Sequence, residues 1–271
     1  MDMNDIREKG MVLLGCGKMG SAMLKGWLDG GLPATSVWVN DPKPSEWLQG
    51  LEGLNLNADL PPAPAVVLVA VKPQMMADAL PTLKAMGNGS TLFVSVAAGI
   101  TIATYEDMLG DRTPIVRAMP NTPAAVGRGV TAIIGNGAAG ADHADLAEAL
   151  LSAVGQVVRL ESEDQMSAVT AISGCGPAYT FHLIEAMAAA GEANGLAPEL
   201  ALQLARATVA GAGHLAENAD EDPGQLRVNV TSPNGVTQAA LEVLMNETDG
   251  FPPLLERAVE AAIKRDKELG A

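Results

Sequence analysis

Aromatic residues are scarce in this 271-residue sequence: three Trp, two Tyr and three Phe, 3% of the chain. A core of large rings is excluded. It must instead be assembled from Ala, Val, Leu, Ile and Met, whose smaller side chains favour close helix packing. Cysteine is as rare. Cys16 and Cys175 lie far apart and form no CxxC pattern, which excludes a disulfide framework and a structural zinc site. Basic residues are in deficit, 17 Lys and Arg against 32 Asp and Glu, for a formal net charge of −15. Dense phosphate backbones would be repelled, so nucleic acid is excluded as a general partner, and an acidic membrane surface is disfavoured for the same reason. No apolar run reaches the about 18 residues a membrane helix needs, and the opening MDMNDIREKG is too polar for a signal peptide. A cytoplasmic protein is the expectation. The three histidines, His143, His182 and His214, are scattered in no metal or catalytic spacing, and no metal is expected.

What is abundant is apolar sequence, 48% of residues, enough to exclude a disordered chain. It is arranged differently in two halves. From Met11 to about Leu160, short β-branched runs alternate with helical ones. The runs are Met11–Leu14, Ser36–Val39, Val66–Val71, Thr91–Val96, Pro114–Arg117, Val130–Ile134 and Val157–Leu160; helices are expected around Ser21–Leu28, Met75–Met86 and Ala144–Leu151. Apolar at nearly every position, several runs read as parallel strands covered on both faces. The alternation predicts βαβ units in a doubly wound α/β sheet. After Glu161 the strand signals fade. Residues 164–172, 178–193, 199–217, 236–246 and Phe251–Leu269 are rich in helix formers, and Ser173-Gly174-Cys175-Gly176-Pro177 interrupts the first pair with a gap of small residues. The boundaries drawn are 1–161 for the sheet domain and 162–271 for the helical one. Leu183–Gly191 is apolar around most of its circumference. Either the helical region packs within itself or it faces a second copy, and the surface-to-volume cost of small helical domains favours the second copy.

The first chemical motif is Gly15-Cys16-Gly17-Lys18-Met19-Gly20. A lone GxGxxG is a weak signal, but this one directly follows an apolar strand and opens a helical run, the setting of a Rossmann dinucleotide fingerprint. Gly15 would permit the tight turn, Gly17 the close approach of a pyrophosphate, and Gly20 the packing of the helix, whose free N–H groups face the phosphates. Cys16 reads as a small packing residue. The second strand leads to Asn40 and Asp41. An acid about 20 residues past the fingerprint binds a ribose 2′-hydroxyl and favours NAD, whereas Asn40, Lys43 and Ser45 could contact a 2′-phosphate; Asp41 could equally cap the turn before Pro42. The choice between the two coenzymes stays open. At the carboxyl edge of the sheet, where ligands sit in such folds, lie Val71-Lys72-Pro73 and Met119-Pro120-Asn121-Thr122. Lys72 reads as a contact to phosphate, backbone or solvent rather than a catalytic base; the second segment is on physics alone a stiff, polar loop. In the helical half, Val230-Thr231-Ser232-Pro233-Asn234-Gly235-Val236-Thr237 enters a helix whose N–H groups form an anion site, with hydroxyls from Ser232 and Thr237; Ser232 could equally be a simple N-cap.

Together these stretches resemble the pyrroline-5-carboxylate reductase family: GCGKMG at 15–20, AVKP at 70–73, VAAGIT at 96–101, RAMPNTPA at 117–124, ISGCGPAYTFHLIEAM at 172–187 and, most specifically, PGQLRVNVTSPNGVTQAALEVL at 223–244. The resemblance implies an N-terminal Rossmann domain, an all-helical dimerisation domain, and reduction of a cyclic imine to L-proline, the last step of proline biosynthesis. NADP(H) is the family default, with NAD(H) left open by Asp41. A homodimer with intertwined helical domains is implied, and in many members five dimers form a decamer. Asn234 stands where the family usually has Gly, and Cys175 where Ser is commoner. The residues expected to bind coenzyme are Gly15, Cys16, Gly17, Lys18, Met19, Gly20, Asn40, Asp41, Val71, Lys72, Pro73, Ala97, Met119, Pro120, Asn121 and Thr122. Asn234, Gly235 and Val236 are expected to bind the substrate carboxylate, with Ser232 and Thr237 as catalytic residues. The rival readings are a β-hydroxyacid dehydrogenase-like reductase, which needs a lysine that the SGCGPAY helix does not carry before Lys264, and a non-enzymatic dinucleotide or partner-binding protein on the same scaffold.

Overall fold

The structure, a computed structural model, describes residues 3–269. Eight strands form one sheet: β1 (Met11–Leu14), β2 (Val37–Asn40), β3 (Asn55–Leu56), β4 (Val66–Val69), β5 (Leu92–Ser95), β6 (Ile115–Met119), β7 (Gly129–Gly135) and β8 (Gly155–Arg159), in the order β3-β2-β1-β4-β5-β6-β7-β8. Neighbours from β3 through to β6 are parallel, with Met11 of β1 level with Val37 on one side and Val66 on the other. The chain reverses direction between the third and fourth positions of this order, from β1 outward to β3 and then back across to β4, so the carboxyl ends of β1 and β4 flank a topological switch point.

Period-two alternation divides the buried strand residues between two layers. Met11, Leu13, Val66, Leu68, Leu92 and Val94 face one layer, closed by the helices Lys18–Asp29 and Ala141–Leu151. Val12, Val67, Val69 and Phe93 face the other, closed by the segment Pro73–Met86 and by the helix Ile102–Leu109. The largest side chain in the first layer, Trp27, satisfies its indole N–H by donating to the Leu150 carbonyl at 2.8 Å, which joins the two helices that cover that face.

Three elements depart from expectation, each for a physical reason. The strand β7 pairs antiparallel to β6, because the Pro120–Arg128 connection is shorter than the roughly dozen residues a parallel crossover requires. The helix expected over Met75–Met86 is broken into a turn, a single α-helical turn at Met76–Ala79 and a 3₁₀ stretch at Leu80–Met86; Pro81 lacks the N–H that an α-helix would use there. The gap expected at 173–177 is absent. Thr170–Gly174 forms a π-helical turn that runs on to the helix Gly176–Ala193, with the Thr170 hydroxyl donating to the Met166 carbonyl and the Ser173 hydroxyl to that of Val169.

The chain divides into two compact units, one running to Gly174 and resuming at Ile263, the other Cys175–Ala262. The second is all helix: Gly176–Ala193, Pro198–Asn218, Pro223–Asn229, Val236–Leu244 and the first part of Phe251–Leu269. Its own buried core is three alanines, Ala188, Ala201 and Ala205, where Gly191 lets the first two helices meet closely: a Cβ there would stand 3.2 Å from that of Ala201. Phe181, Leu204, Leu215, Val236, Val243 and Leu254 are all exposed. An apolar surface that extensive marks an interaction face. No described helix is long and apolar enough to cross a membrane, and no group of three metal-ligating side chains occurs among the described residues.

Candidate functional site

At the carboxyl end of β1 the chain turns through Gly15 at φ +85°, in the left-handed region. A Cβ here would lie 2.9 Å from Val71 Cγ1 and 3.1 Å from the Ala70 carbonyl, so the turn is pressed against the end of β4 and admits only glycine. At Gly20 a Cβ would lie 2.7 Å from the Gly15 carbonyl oxygen; the glycine lets the first turn of the helix close over the loop. Gly17 is different. Its chain neighbours aside, no atom of the described residues lies within 4 Å of the Cβ it lacks, so its missing side chain leaves open space outside the turn. The helix Lys18–Asp29 starts there with no side-chain cap, and its first N–H groups are left for an external acceptor. Lys18 is exposed and Met19 half-buried. Open space at the middle glycine, beside an uncapped helix start, fits a dinucleotide pyrophosphate.

Asp41 is held from three directions. One carboxylate oxygen accepts the Cys16 N–H at 2.7 Å, and the other accepts the Lys43 N–H at 2.8 Å. Its backbone pairs with Asn57 both ways: the Asp41 N–H donates to Asn57 Oδ1, and Asn57 Nδ2 donates to the Asp41 carbonyl, each at 2.9 Å. The Asn40 carbonyl accepts the Gly15 N–H at 2.8 Å. The acid therefore ties the glycine turn to the loop after β2, and Cys16 gives its N–H to Asp41 rather than to an external ligand. The Cys16 thiol is buried, which pushes its pKa up, partly offset by a hydrogen bond with Ser21, in keeping with a packing residue. Sequence reasoning missed Asn57, a non-glycine residue at φ +50°; an Asn immediately after a two-residue strand is a weak signal that only the fold interprets.

The other expected coenzyme residues cluster along the same edge. Ala97 follows β5, buried, with its N–H donating to Ser95 Oγ at 3.2 Å. Val71 and Pro73 are half-buried after β4, and Lys72 is exposed, the cap of the Pro73–Met75 turn. Met119 ends β6 and Pro120 is buried, while Thr122 is exposed at the start of a 3₁₀ turn. Asn121 points inward: Oδ1 accepts the Val130 N–H at 2.9 Å and Nδ2 donates to the Ser173 carbonyl at 3.2 Å. Its amide thus fastens this loop to β7 and to the π-helical turn.

In the helical unit, Asn234 adopts φ +56°, the left-handed geometry that glycine takes elsewhere and that Asn tolerates. Its N–H donates to Gln238 Oε1 at 2.7 Å, a partner that sequence reasoning missed. The Gly235 N–H, expected to face a ligand, instead donates to the Ser232 carbonyl at 3.0 Å. It closes the turn, and a Cβ at Gly235 would lie 2.9 Å from that same oxygen. Helix Val236–Leu244 begins with no side-chain cap, so Ser232 is not its N-cap, and the N–H groups of Val236 and Thr237 are left for an outside acceptor. The hydroxyls of Ser232 and Thr237 are exposed and have no hydrogen-bond partner among the described residues.

Comparison with known proteins now adds to this geometry. Residues 163–269 match a family model described as pyrroline-5-carboxylate reductase dimerisation, and residues 11–99 match one described as NADP oxidoreductase coenzyme F420-dependent. The chain is 38% identical over 264 residues to the pyrroline-5-carboxylate reductase of Pseudomonas aeruginosa, covering 96% of each, and 39% identical over 261 residues to that of Pisum sativum, covering 94% of each. Among solved structures, a pyrroline-5-carboxylate reductase from Coxiella burnetii superimposes with a TM-score of 0.90 at 34% identity, over 97% of this chain and 99% of that one. The Plasmodium falciparum enzyme with NADP bound does so with a TM-score of 0.83 at 29% identity, over 98% and 99%.

Proposed function

The chain belongs to the pyrroline-5-carboxylate reductase family, and on that premise we propose how its residues carry out the NADPH-dependent reduction of L-1-pyrroline-5-carboxylate to L-proline. The observation that carries the reading is that each unit holds an uncapped helix start, one beside the open Gly17 and one beside the Ser232 and Thr237 hydroxyls, which have no hydrogen-bond partner among the described residues.

The dinucleotide, when bound, supplies the hydride that goes to the imine carbon. The turn Gly15–Gly20 holds its pyrophosphate, with the N–H groups at the start of helix Lys18–Asp29 directed at the phosphates. Asn40 and Asp41 stand where the adenosine ribose would lie. Asp41 disfavours a 2′-phosphate by charge, so NADH is accepted alongside NADPH. The segments at Val71–Pro73, Ala97 and Met119–Thr122 line the nicotinamide and exclude water from it. The substrate brings one carboxylate and one ring nitrogen. The N–H groups of Val236 and Thr237 and the Ser232 hydroxyl take the carboxylate, using the positive end of the helix; Asn234 and Gly235 shape that turn. The Thr237 hydroxyl hydrogen-bonds the ring nitrogen and orients the C=N bond, and relays a proton where the imine arrives neutral. A protonated imine needs no acid, which accounts for a site without a histidine or a paired carboxylate.

The chain forms a homodimer through the apolar faces of its helical unit. We place Val236 and its neighbours in a site completed by the second copy, and five such dimers in a decamer. Both cysteines are free thiols, in keeping with a place in the reducing cytoplasm. The test is Thr237→Ala in steady-state kinetics. A kcat loss of about 10²–10⁴ is expected of a proton relay, whereas a loss below tenfold removes Thr237 from proton transfer. Ser232→Ala raises KM for the imine and leaves coenzyme affinity unchanged; weakened coenzyme binding would assign Ser232 to the other pocket.

A further inference from the structure

A charged pair with a buried Arg and a half-buried Glu lies under the carboxyl edge of the sheet, outside the groups just described. Arg117, in the middle of β6, has a side chain 8% exposed, and its Nη1 donates to Glu163 Oε1 at 2.6 Å. The same oxygen accepts the Ile102 N–H at 2.9 Å. Ile102 begins the helix Ile102–Leu109, so this N–H has no acceptor within the helix. Glu163 is itself fixed: it sits in a 3₁₀ turn closed by a capping box, with the Ser162 hydroxyl accepting the Asp164 N–H and Gln165 Oε1 accepting the Ser162 N–H.

This carboxylate joins the end of one loop to the strand that leads into another. The loop between Ser95 and Ile102 is held at its start by the Ser95 hydroxyl, which accepts the Ala97 N–H and pairs with the buried Tyr105 hydroxyl, and at its end by Glu163. The other loop, Met119–Thr122, leaves the sheet two residues after Arg117. Both carry residues assigned above to the nicotinamide, so the spacing of the two loops sets the width of the slot between them.

We propose that Glu163, acting through Arg117 and the Ile102 N–H, is a positioning residue for hydride transfer: one carboxylate oxygen fixes the distance between the two nicotinamide-lining loops. The assignment rests on the coenzyme reading given above. A shared acceptor suits this role because the Ser95–Ile102 loop cannot move away from β6, the strand that feeds the second loop, without breaking a charge-assisted bond. A small misplacement of the ring then acts on the chemical step more than on binding.

The experiment uses the purified full-length enzyme, with the cyclic imine and NADPH carrying either hydrogen or deuterium at the transferred position. Glu163→Ala should lower kcat at least tenfold, leave KM for the imine within threefold, and raise the deuterium isotope effect on kcat. Glu163→Gln keeps an oxygen acceptor and should return kcat to within threefold of wild type. Because Glu163→Ala strands a buried guanidinium and risks unfolding, the pair is also replaced by apolar residues in R117L/E163L. That variant should retain the wild-type melting temperature while kcat stays low. A folded Glu163→Ala or R117L/E163L enzyme with kcat within twofold of wild type overturns the assignment, as does a kcat loss that Glu163→Gln fails to restore. Wild-type enzyme showing no imine-dependent coenzyme oxidation overturns the parent reading, and the assignment with it.

Discussion

The two outer glycines of the fingerprint and the central one do different work, and alanine separates them. At Gly20 a methyl group would stand 2.7 Å from the Gly15 carbonyl oxygen. That oxygen belongs to backbone, and Gly15 is itself wedged against Ala70 and Val71, so the loop cannot yield and the helix start must move. Overpacking of this kind costs about 1–3 kcal/mol, and about 2–3 kcal/mol where the obstructing atom is backbone that cannot yield; the gain of about 1 kcal/mol that Ala has over Gly in a helix offsets part of it. The net loss for Gly20→Ala is about 1–2 kcal/mol, or a melting temperature lower by about 2–8 °C for a chain of this size. Gly17 meets nothing within 4 Å and sits at φ −70°, a conformation alanine adopts freely. Gly17→Ala should therefore change stability by less than about 0.5 kcal/mol, yet the methyl group occupies the space assigned to the pyrophosphate. Coenzyme affinity should fall at least tenfold, about 1.4 kcal/mol. Thermal unfolding without ligand and quenching titrations with NADPH measure the two effects separately. A Gly17→Ala protein that binds NADPH as wild type does, or a Gly20→Ala protein as stable as wild type, would refute the reasoning.

Shared sites make a prediction for mixed dimers. Gly17→Ala and Thr237→Ala subunits, each impaired alone at limiting NADPH, should regain activity when combined if a glycine turn from one copy works with Thr237 of the other, because one of the two sites is then intact. Sites built within single chains give no recovery. A further prediction concerns alkaline stability. Burial pushes the Tyr105 hydroxyl from 10.0 up to about 12, with the Ser95 hydrogen bond and the Arg117 charge pulling the other way. Above pH 10 the unfolded tyrosine gives up its proton while the native one keeps it, so the native state binds more protons and stability falls as pH rises. The loss reaches about 2–3 kcal/mol by pH 12. In urea titrations Tyr105→Phe should show a shallower decline in stability between pH 10 and 12 than wild type, and an unchanged slope would remove Tyr105 as its source.

Much of this architecture is legible in the chain because local signals agree. Four-residue runs such as Val66–Val69 are apolar on both faces, so they can only be covered strands, and the fingerprint names both the strand before it and the helix after it. Asn234 is legible only through the resemblance, as an Asn in a place usually held by Gly, and its φ of +56° is a geometry that Asn tolerates. What sequence conceals is pairing at a distance. Nothing in the residues around Asp41 says that its carboxylate will hold the Cys16 N–H, 25 positions away, nor that Glu163 will reach Arg117 across 46 positions. Direction is equally hidden: β7 reads as a strand, but its antiparallel course follows from the length of the connection before it, not from its composition. The inward turn of the Asn121 amide and of the Gly235 N–H shows the same limit. A polar group on a ligand-facing loop is as readily taken up by the loop itself, and only the fold shows which.

The central claim is that this chain moves a hydride from a reduced dinucleotide to a cyclic imine bearing a carboxylate. The purified protein should oxidise NADPH, followed by its absorbance, only when L-1-pyrroline-5-carboxylate is present, and should release one L-proline per coenzyme consumed. Oxidation that proceeds with a β-keto acid but not with the imine would contradict the account.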